Sequence, residues 1–294
     1  MKGDYLHKYF VCVLVLLSQL GIAQVSESFS FLGVLQSSDR QVMTYKIDLT
    51  ILDGVVSGTS LMGIDGPNAT TSSIVGTYDY DTKELCFTED KILSSKAALD
   101  GDFCFISIKA TMAVKKKKSH LNGDFWGLVD KKDSCVVGQM NMVATSYIMK
   151  KMATLEKAVK KSGIKDSIAL ANADLATFEK SISTQRISDT ESVSIKADGE
   201  KCLLKVWDEG MQDGDVVSVK LNGVLVLHDY ILKREIRVIG LLLSKGENTI
   251  EIVAQNTGSR FPNTASLSFE DSTSITKLSS NLEKDQSAVI KVYY

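Results

Sequence analysis

From Phe31 to Val143 apolar and polar residues alternate with a period of two, the mark of strands with one face on a core and one in water. Met43-Thr44-Tyr45-Lys46-Ile47-Asp48-Leu49-Thr50-Ile51 alternates without a break, Asp53-Gly54 supplies a turn, and Val56 to Leu61 returns. Further strands are predicted over Ser72 to Tyr80, Glu84 to Ile92, Phe103 to Thr111, His120 to Val129 and Cys135 to Val143. Turns fall at Asp81-Thr82-Lys83, Asp100-Gly101 and Asp130 to Asp133. About eight short strands in sequence imply nearest-neighbour antiparallel pairing, and eight can close into a small up-and-down barrel with no exposed edge.

The period then changes. Ile148, Met152, Leu155 and Val159 recur at helical spacing, Ser162-Gly163 interrupts, and Ile164, Ile168, Ala171, Leu175, Phe178 and Ile182 resume it. Two amphipathic helices, or one interrupted helix, are expected to pack on the protein's own sheet and to act as a semi-rigid spacer. Past Ser183 alternation returns in eight or nine short strands, from Ser192 to Ala197 through Ala288 to Tyr293. That density predicts a β-sandwich of immunoglobulin or jelly-roll type. Its best-specified element is Trp207 to Leu227, where Asp213-Gly214 and Asn222-Gly223 supply residues that tolerate positive φ around Val217, Val219 and Leu221. The plan is a mainly β chain: signal peptide 1–23, antiparallel barrel-like domain 24–145, helical linker 146–183 and β-sandwich 184–294.

With 294 residues, 44% hydrophobic and 24% charged, the chain is long enough for two globular cores. A formal net charge of −2 argues against a nucleic-acid binder, whose affinity rests on neutralising phosphates. Lys2 and Lys8 precede the apolar run Tyr9 to Leu17, and Gly21-Ile22-Ala23 offers small residues before Gln24, which reads as a secretory signal peptide cut after Ala23. The run is shorter than the about 20 apolar residues a bilayer span needs, and no later stretch supplies one. Removing the leader leaves Cys86, Cys104, Cys135 and Cys202 in a chain bound for an oxidising compartment. Cys104 and Cys135 fall in one predicted sheet and are the favoured disulfide. Cys86 and Cys202 fall in different predicted domains and are read as buried thiols.

The segment Leu49 to Ser60, with Asp53-Gly54-x-x-x-Gly58-Thr59-Ser60, and the later Leu121-x-Gly123-x-Phe125-x-Gly127 resemble small lipocalin-like or avidin-like barrels. They resemble more closely the N-terminal domain of secreted proteins of Gram-negative bacteria. Asp208-x-Gly210-x-x-Asp213-Gly214-Asp215, Asn222-Gly223, Gly246-x-Asn248 and Asn256-x-Gly258-x-x-Pro262-Asn263-Thr264-Ala265 resemble the C-terminal domain of the same proteins. Here Phe261 replaces a usual proline, Trp126 stands one residue beyond the usual aromatic position, and the lipocalin G-x-W signature is missing. The resemblance implies the two-domain fold and an address in the periplasm or at the outer cell surface, with no assigned chemistry. Phe87, Phe103, Phe105 and Phe125 are expected inside the barrel, where they fill it rather than line a cavity.

Four candidate chemistries remain. Asp208, Asp213 and Asp215, with Glu209, place carboxylates within eight residues, a supply of hard oxygens for calcium; Asp capping of turn amides uses the same residues. Asn256 and Asn263 are candidates for hydrogen bonds to sugar hydroxyls, and Trp207 and Phe261 for stacking on a sugar ring. Lys115 to Lys118 is a basic hairpin tip or a contact for an anionic surface, and Asp166-Ser167-Ile168 resembles a bacterial O-glycosylation acceptor. No nucleophile elbow, zinc-protease helix or phosphate loop is present, so no catalytic residue is assigned. The expectation is a secreted, non-enzymatic binding or adhesion protein whose partner is a glycan, peptidoglycan or a cell-surface protein. The competing class is a hydrolase of glycans or cell wall.

Overall fold

The structure is a computed structural model and describes residues 26–99, 102–114, 119–129, 132–162, 175–210, 212–259 and 261–294. The signal-peptide reading, the four lysines 115–118, Gly163 and Asp166-Ser167-Ile168 lie outside those residues.

Eight strands follow one another in the first half: β1 (Ser26–Ser37), β2 (Val42–Leu52), β3 (Val55–Met62), β4 (Thr70–Asp79), β5 (Glu84–Ser95), β6 (Cys104–Ala113), β7 (His120–Val129) and β8 (Asp133–Ala144). Each pairs antiparallel with the next, and β1 pairs with β8 from Phe31↔Ala144 to Ser37↔Gly138, so the sheet closes as the alternation predicted. The Asp53-Gly54 turn adopts positive φ at both residues, 51° and 78°. Inside, Phe31, Leu35, Tyr45, Ile47, Leu85, Phe125 and Met142 are each no more than 1% exposed, which leaves no water-sized void against them. The barrel is therefore filled. Phe87 and Phe125 point inward as expected, but Phe103 and Phe105 do not. On β6 it is Ile106, Ile108, Ala110 and Met112 that face the core, and a period of two sends the odd-numbered phenylalanines to the other side.

Besides β4, strand β5 serves two further partners on its other edge. Glu84 to Thr88 pair with β6 and close the barrel, whereas Ser94 and Ser95 pair with the second half of the chain. Between them Glu89, 3% exposed, replaces the missing backbone partner: its Oε2 accepts the Ile106 amide at 2.9 Å. Its Oε1 accepts the Tyr45 hydroxyl at 2.9 Å and the Ser60 hydroxyl at 2.6 Å. Burial pushes the Glu89 carboxyl above the usual glutamate range against the pull of these three donors.

Among the described residues two helices follow, α1 (Thr145–Ser162) and α2 (Leu175–Ser183). The stripe Ile148, Met152, Leu155 and Val159 is less covered than its spacing suggested: no described residue of α1 is buried, and Leu155 is 48% exposed. Helix α1 touches β1 and β8, and α2 touches α1 and the strand that follows.

That strand, β9 (Gln185–Ser188), is too short to carry a periodic signal. Beyond it lie β10 (Ser192–Lys196), β11 (Lys201–Trp207), β12 (Val216–Leu221), β13 (Val224–Ile231), β14 (Arg237–Leu242), β15 (Glu247–Ala254), β16 (Ser266–Glu270), β17 (Ile275–Asn281) and β18 (Ser287–Tyr293). They form two sheets, β13-β12-β15-β18-β10 and β14-β11-β16-β17-β9, around one core that includes Leu204, Val219, Ile252, Leu267, Phe269 and Ile290. Each sheet holds one parallel pair, β10 with β18 and β9 with β17. Asn222 and Gly223 turn the β12–β13 hairpin with φ of 50° and 79°.

The first of these sheets continues into the barrel through Ser194↔Ser95 and Ile195↔Ser94. Gln185 accepts the Ser94 hydroxyl at 2.9 Å and donates to the Ala69 carbonyl, and Lys96 pairs with Glu191 at 2.9 Å. The halves are thus hydrogen-bonded to each other directly, and the helices do not alone set their spacing.

The expected disulfide is present. Cys104 and Cys135 join β6 to β8, with the bridge passing over Gly127 of the intervening β7. A Cβ at Gly127 would stand 2.2 Å from Cys104 Sγ and 2.9 Å from Cys135 Sγ. Cys86 and Cys202 are free; Cys202 is buried as read, while Cys86 is half-exposed. Burial pushes the Cys202 thiol up to about 11.

Candidate functional site

The acidic turn between β11 and β12 folds against the loop between β15 and β16. Asp208, 2% exposed, accepts the Gly210 amide at 2.8 Å on Oδ1, a turn-capping use of its side chain. Asp215, also 2% exposed, accepts the Thr264 amide at 2.8 Å on Oδ2. Ser259 donates its amide to the Asp213 carbonyl, which brings Gly258 over the turn. With φ +57° and no side chain, Gly258 leaves room for Asp213 Oδ1 and Asp215 Oδ1: a Cβ there would meet them at 2.7 and 2.8 Å. Burial pushes the Asp215 carboxyl up to about 6; the Thr264 amide opposes this, and the like charges of Asp213 and Asp208 add to it.

The two asparagines are spent on this loop rather than on its rim. Asn256 accepts the Val216 amide at 2.8 Å and donates to the Gly214 carbonyl at 2.9 Å. Asn263 is fully buried and donates to the Val216 and Asn256 carbonyls at 3.1 and 2.9 Å. Its expected place on a ligand surface is corrected accordingly: the loop needs its amide to satisfy backbone carbonyls in the interior. Phe261 is 69% exposed but does not line the groove that Trp207 does.

That groove, about 450 Å³, runs between α2 and the second sheet. Its walls are Glu179, Lys180, Ser183 and Thr184 on one side and Trp207, Asp208, Glu209, Gly210, Thr264, Ser266 and Lys277 on the other. Trp207, the last residue of β11, is half-buried there and not core. Ser266 Oγ donates to Glu209 Oε2 at 3.3 Å. Burial and the neighbouring Arg186 hold the Lys180 ammonium below the usual lysine range, against the attraction of Glu209, Asp208 and Asp215. A second hollow of about 320 Å³ adjoins it, sharing Glu179, Ser183 and Lys277 and reaching Ser30, Lys46 and Asp48 on the barrel. The cleft is thus built by barrel, helix and second sheet together. Sequence reasoning found Trp207, Asp208 and Glu209 but missed Glu179, Lys180, Ser266 and Lys277. Glu179 and Lys180 are adjacent on α2 but stand more than 80 residues from Ser266 and Lys277, and no local motif marks any of the four.

Among the described residues no helix is long and apolar enough to cross a membrane. Comparisons with protein-family models, with curated proteins and with solved structures return no match to this chain.

Proposed function

We propose that this is a secreted, non-enzymatic binding protein of the periplasm or outer cell surface. Its groove beside Trp207 takes a glycan or another polar polymer of the cell envelope. The observation that carries the reading is one indole in the wall of a groove whose other walls are carboxylates, lysines and hydroxyls. A sugar offers an apolar C–H face to an aromatic ring and hydroxyls that both donate and accept, so this mixture matches it chemically. An immunoglobulin-type sandwich with the barrel as its neighbour would serve as a rigid support, and the leader at 1–23 would supply the address.

A second reading rests on the same walls. Glu179 and Glu209 both face the groove, and glycoside hydrolysis needs two carboxylates flanking the bond. One experiment addresses both. Soluble peptidoglycan fragments and a glycan panel are titrated calorimetrically into wild type, Trp207→Ala and Glu209→Gln, and the mixtures are then assayed for new reducing ends. We expect saturable binding, weakened about tenfold by Trp207→Ala through lost stacking and apolar contact, and no product. Equal binding by the Trp207→Ala chain would reject the groove, and product released by wild type but not by Glu209→Gln would make the protein a hydrolase.

A further inference from the structure

The two sheets of the second half end, among the described strands, at β13, β14 and β9, and these edges are not alike. Native sheets blunt an edge with bulges, short strands, charges or a covering helix, because a bare edge is a template for another strand. Strand β13 breaks register with β12 twice and carries Asp229 at φ 40°, and β9 is four residues long and touched by α2. Strand β14 is built otherwise. It keeps an unbroken register with β11 from Lys201↔Leu242 to Val206↔Arg237, holds no lysine or proline, and carries one charge, Arg237 at its start. Its outer face is apolar: Val238 is 48% exposed and Leu242 64%, and Leu203 of β11, paired with Gly240, is 42% exposed.

The backbone fixes how a further strand could join. The Leu243 amide donates to the Glu200 carbonyl, and such pairs alternate along an antiparallel ladder, so Leu241, Ile239 and Arg237 also turn their hydrogen-bonding groups towards β11. Val238, Gly240 and Leu242 turn theirs outward, where no other described strand takes them. We propose that two copies of this chain associate through β14, antiparallel and two-fold symmetric about Gly240. That register sets all three outward residues opposite one another, Val238 against Leu242 of the second copy at both ends and Gly240 against its own copy, each pair exchanging two hydrogen bonds. A Cβ at Gly240 would meet no atom within 4 Å, so the centre of the contact is open to the second strand. The same two-fold brings Glu235 level with Lys245 of the second copy. Both are exposed and neither has a described ion pair, so the contact is complementary in charge as well as in apolar surface. Pairing of this kind keeps the outer faces of the two sheets on one side, and the two grooves beside Trp207 then open the same way, a bivalent grip on a repeating polymer. Only that last consequence rests on the groove taking a glycan; the dimer does not.

Sedimentation equilibrium of the chain should show a mass that rises with concentration from one copy to two, with a Kd of about 10⁻⁵ M, because a contact of three residue pairs falls among the small, transient interfaces. Val238→Lys/Leu242→Lys puts charges on exposed edge positions and should stay monomeric over the same range. On a Cys86→Ser background, Gly240→Cys should form an interchain disulfide in oxidised glutathione, since the two Cα atoms of a hydrogen-bonded antiparallel pair stand about 5.5 Å apart, within the reach of a disulfide. Val224→Cys, on the β13 edge, should not. Should the lysine variant fail to fold by circular dichroism, the wild-type mass and the cross-link decide. A wild-type mass of one copy at concentrations far above that Kd overturns the proposal, as does a dimer undiminished in the folded lysine variant. Failure of Gly240→Cys to cross-link overturns the two-fold at Gly240, and cross-linking through Val224→Cys in its place moves the contact to β13.

Discussion

Replacing Gly127 by alanine tests how β6, β7 and β8 are tied. The new methyl would stand 2.2 Å from Cys104 Sγ, 2.9 Å from Cys135 Sγ and 2.8 Å from a methyl of Val136, where non-bonded heavy atoms prefer about 3.5–4.0 Å. Two responses are open to the protein. If β7 shifts and the bridge holds, the change is overpacking and costs about 1–3 kcal/mol. If the bridge does not form, the loss is that of a cross-link between residues 31 apart, about 3.7 kcal/mol in the chain-entropy account. Guanidinium unfolding of a chain that begins at Gln24, combined with thiol titration of the denatured chain, separates the two. Of its four cysteines, Cys86 and Cys202 should titrate if the bridge holds, and all four if it does not. Repeating the alanine change on a Cys104→Ser/Cys135→Ser background completes a cycle, and there its effect should fall below about 1 kcal/mol, because smaller atoms take the place of the sulfurs. An undiminished effect on that background would refute the reasoning, since the crowding would then come from something other than the bridge.

Glu89→Ala leaves the Tyr45 and Ser60 hydroxyls and the Ile106 amide without their acceptor, and should destabilise the barrel by about 3 kcal/mol or more in denaturant unfolding. Because burial raises the Glu89 carboxyl, its contribution is complete below the ordinary glutamate pKa and is lost as pH rises through the folded value; a Glu89→Gln chain should lack that fall in a pH series of unfolding curves. At the seam between the halves, Glu191 behaves oppositely. Burial would raise its carboxyl, but the Lys96 and Ser188 hydrogen bonds prevail and hold it below the usual range, so its stabilisation is present at neutral pH and fades as pH falls through the folded value. Glu191→Gln, which leaves Lys96 with its side chain 7% exposed and unpaired, should cost about 1–2 kcal/mol at pH 7 and progressively less in acid.

The alternating run from Met43 to Ile51, the Asp53-Gly54 turn and the even spacing of strands up to Val143 marked an antiparallel meander able to close, a closure that the β1–β8 pairing supplies, and Asn222-Gly223 marked a hairpin in the second half. The reason is that side-chain period and positive-φ turns are local properties. The Cys104–Cys135 pairing was legible in the same way, as two cysteines on one predicted sheet. What only the tertiary structure decided are the places where one strand must serve two neighbours or distant loops must meet. Examples are the division of β5 at Glu89, the short strand β9, the passage of the disulfide over Gly127, and the burial of Asn263 between the acidic turn and the cis Phe261-Pro262 loop. The groove belongs to this second group as well. Glu179, Trp207, Ser266 and Lys277 line one groove only because a helix packs beside three strands, β11, β16 and β17, that are neighbours in the sheet although β11 and β16 are distant in sequence, and a period of two or of 3.6 carries no information about which elements lie side by side.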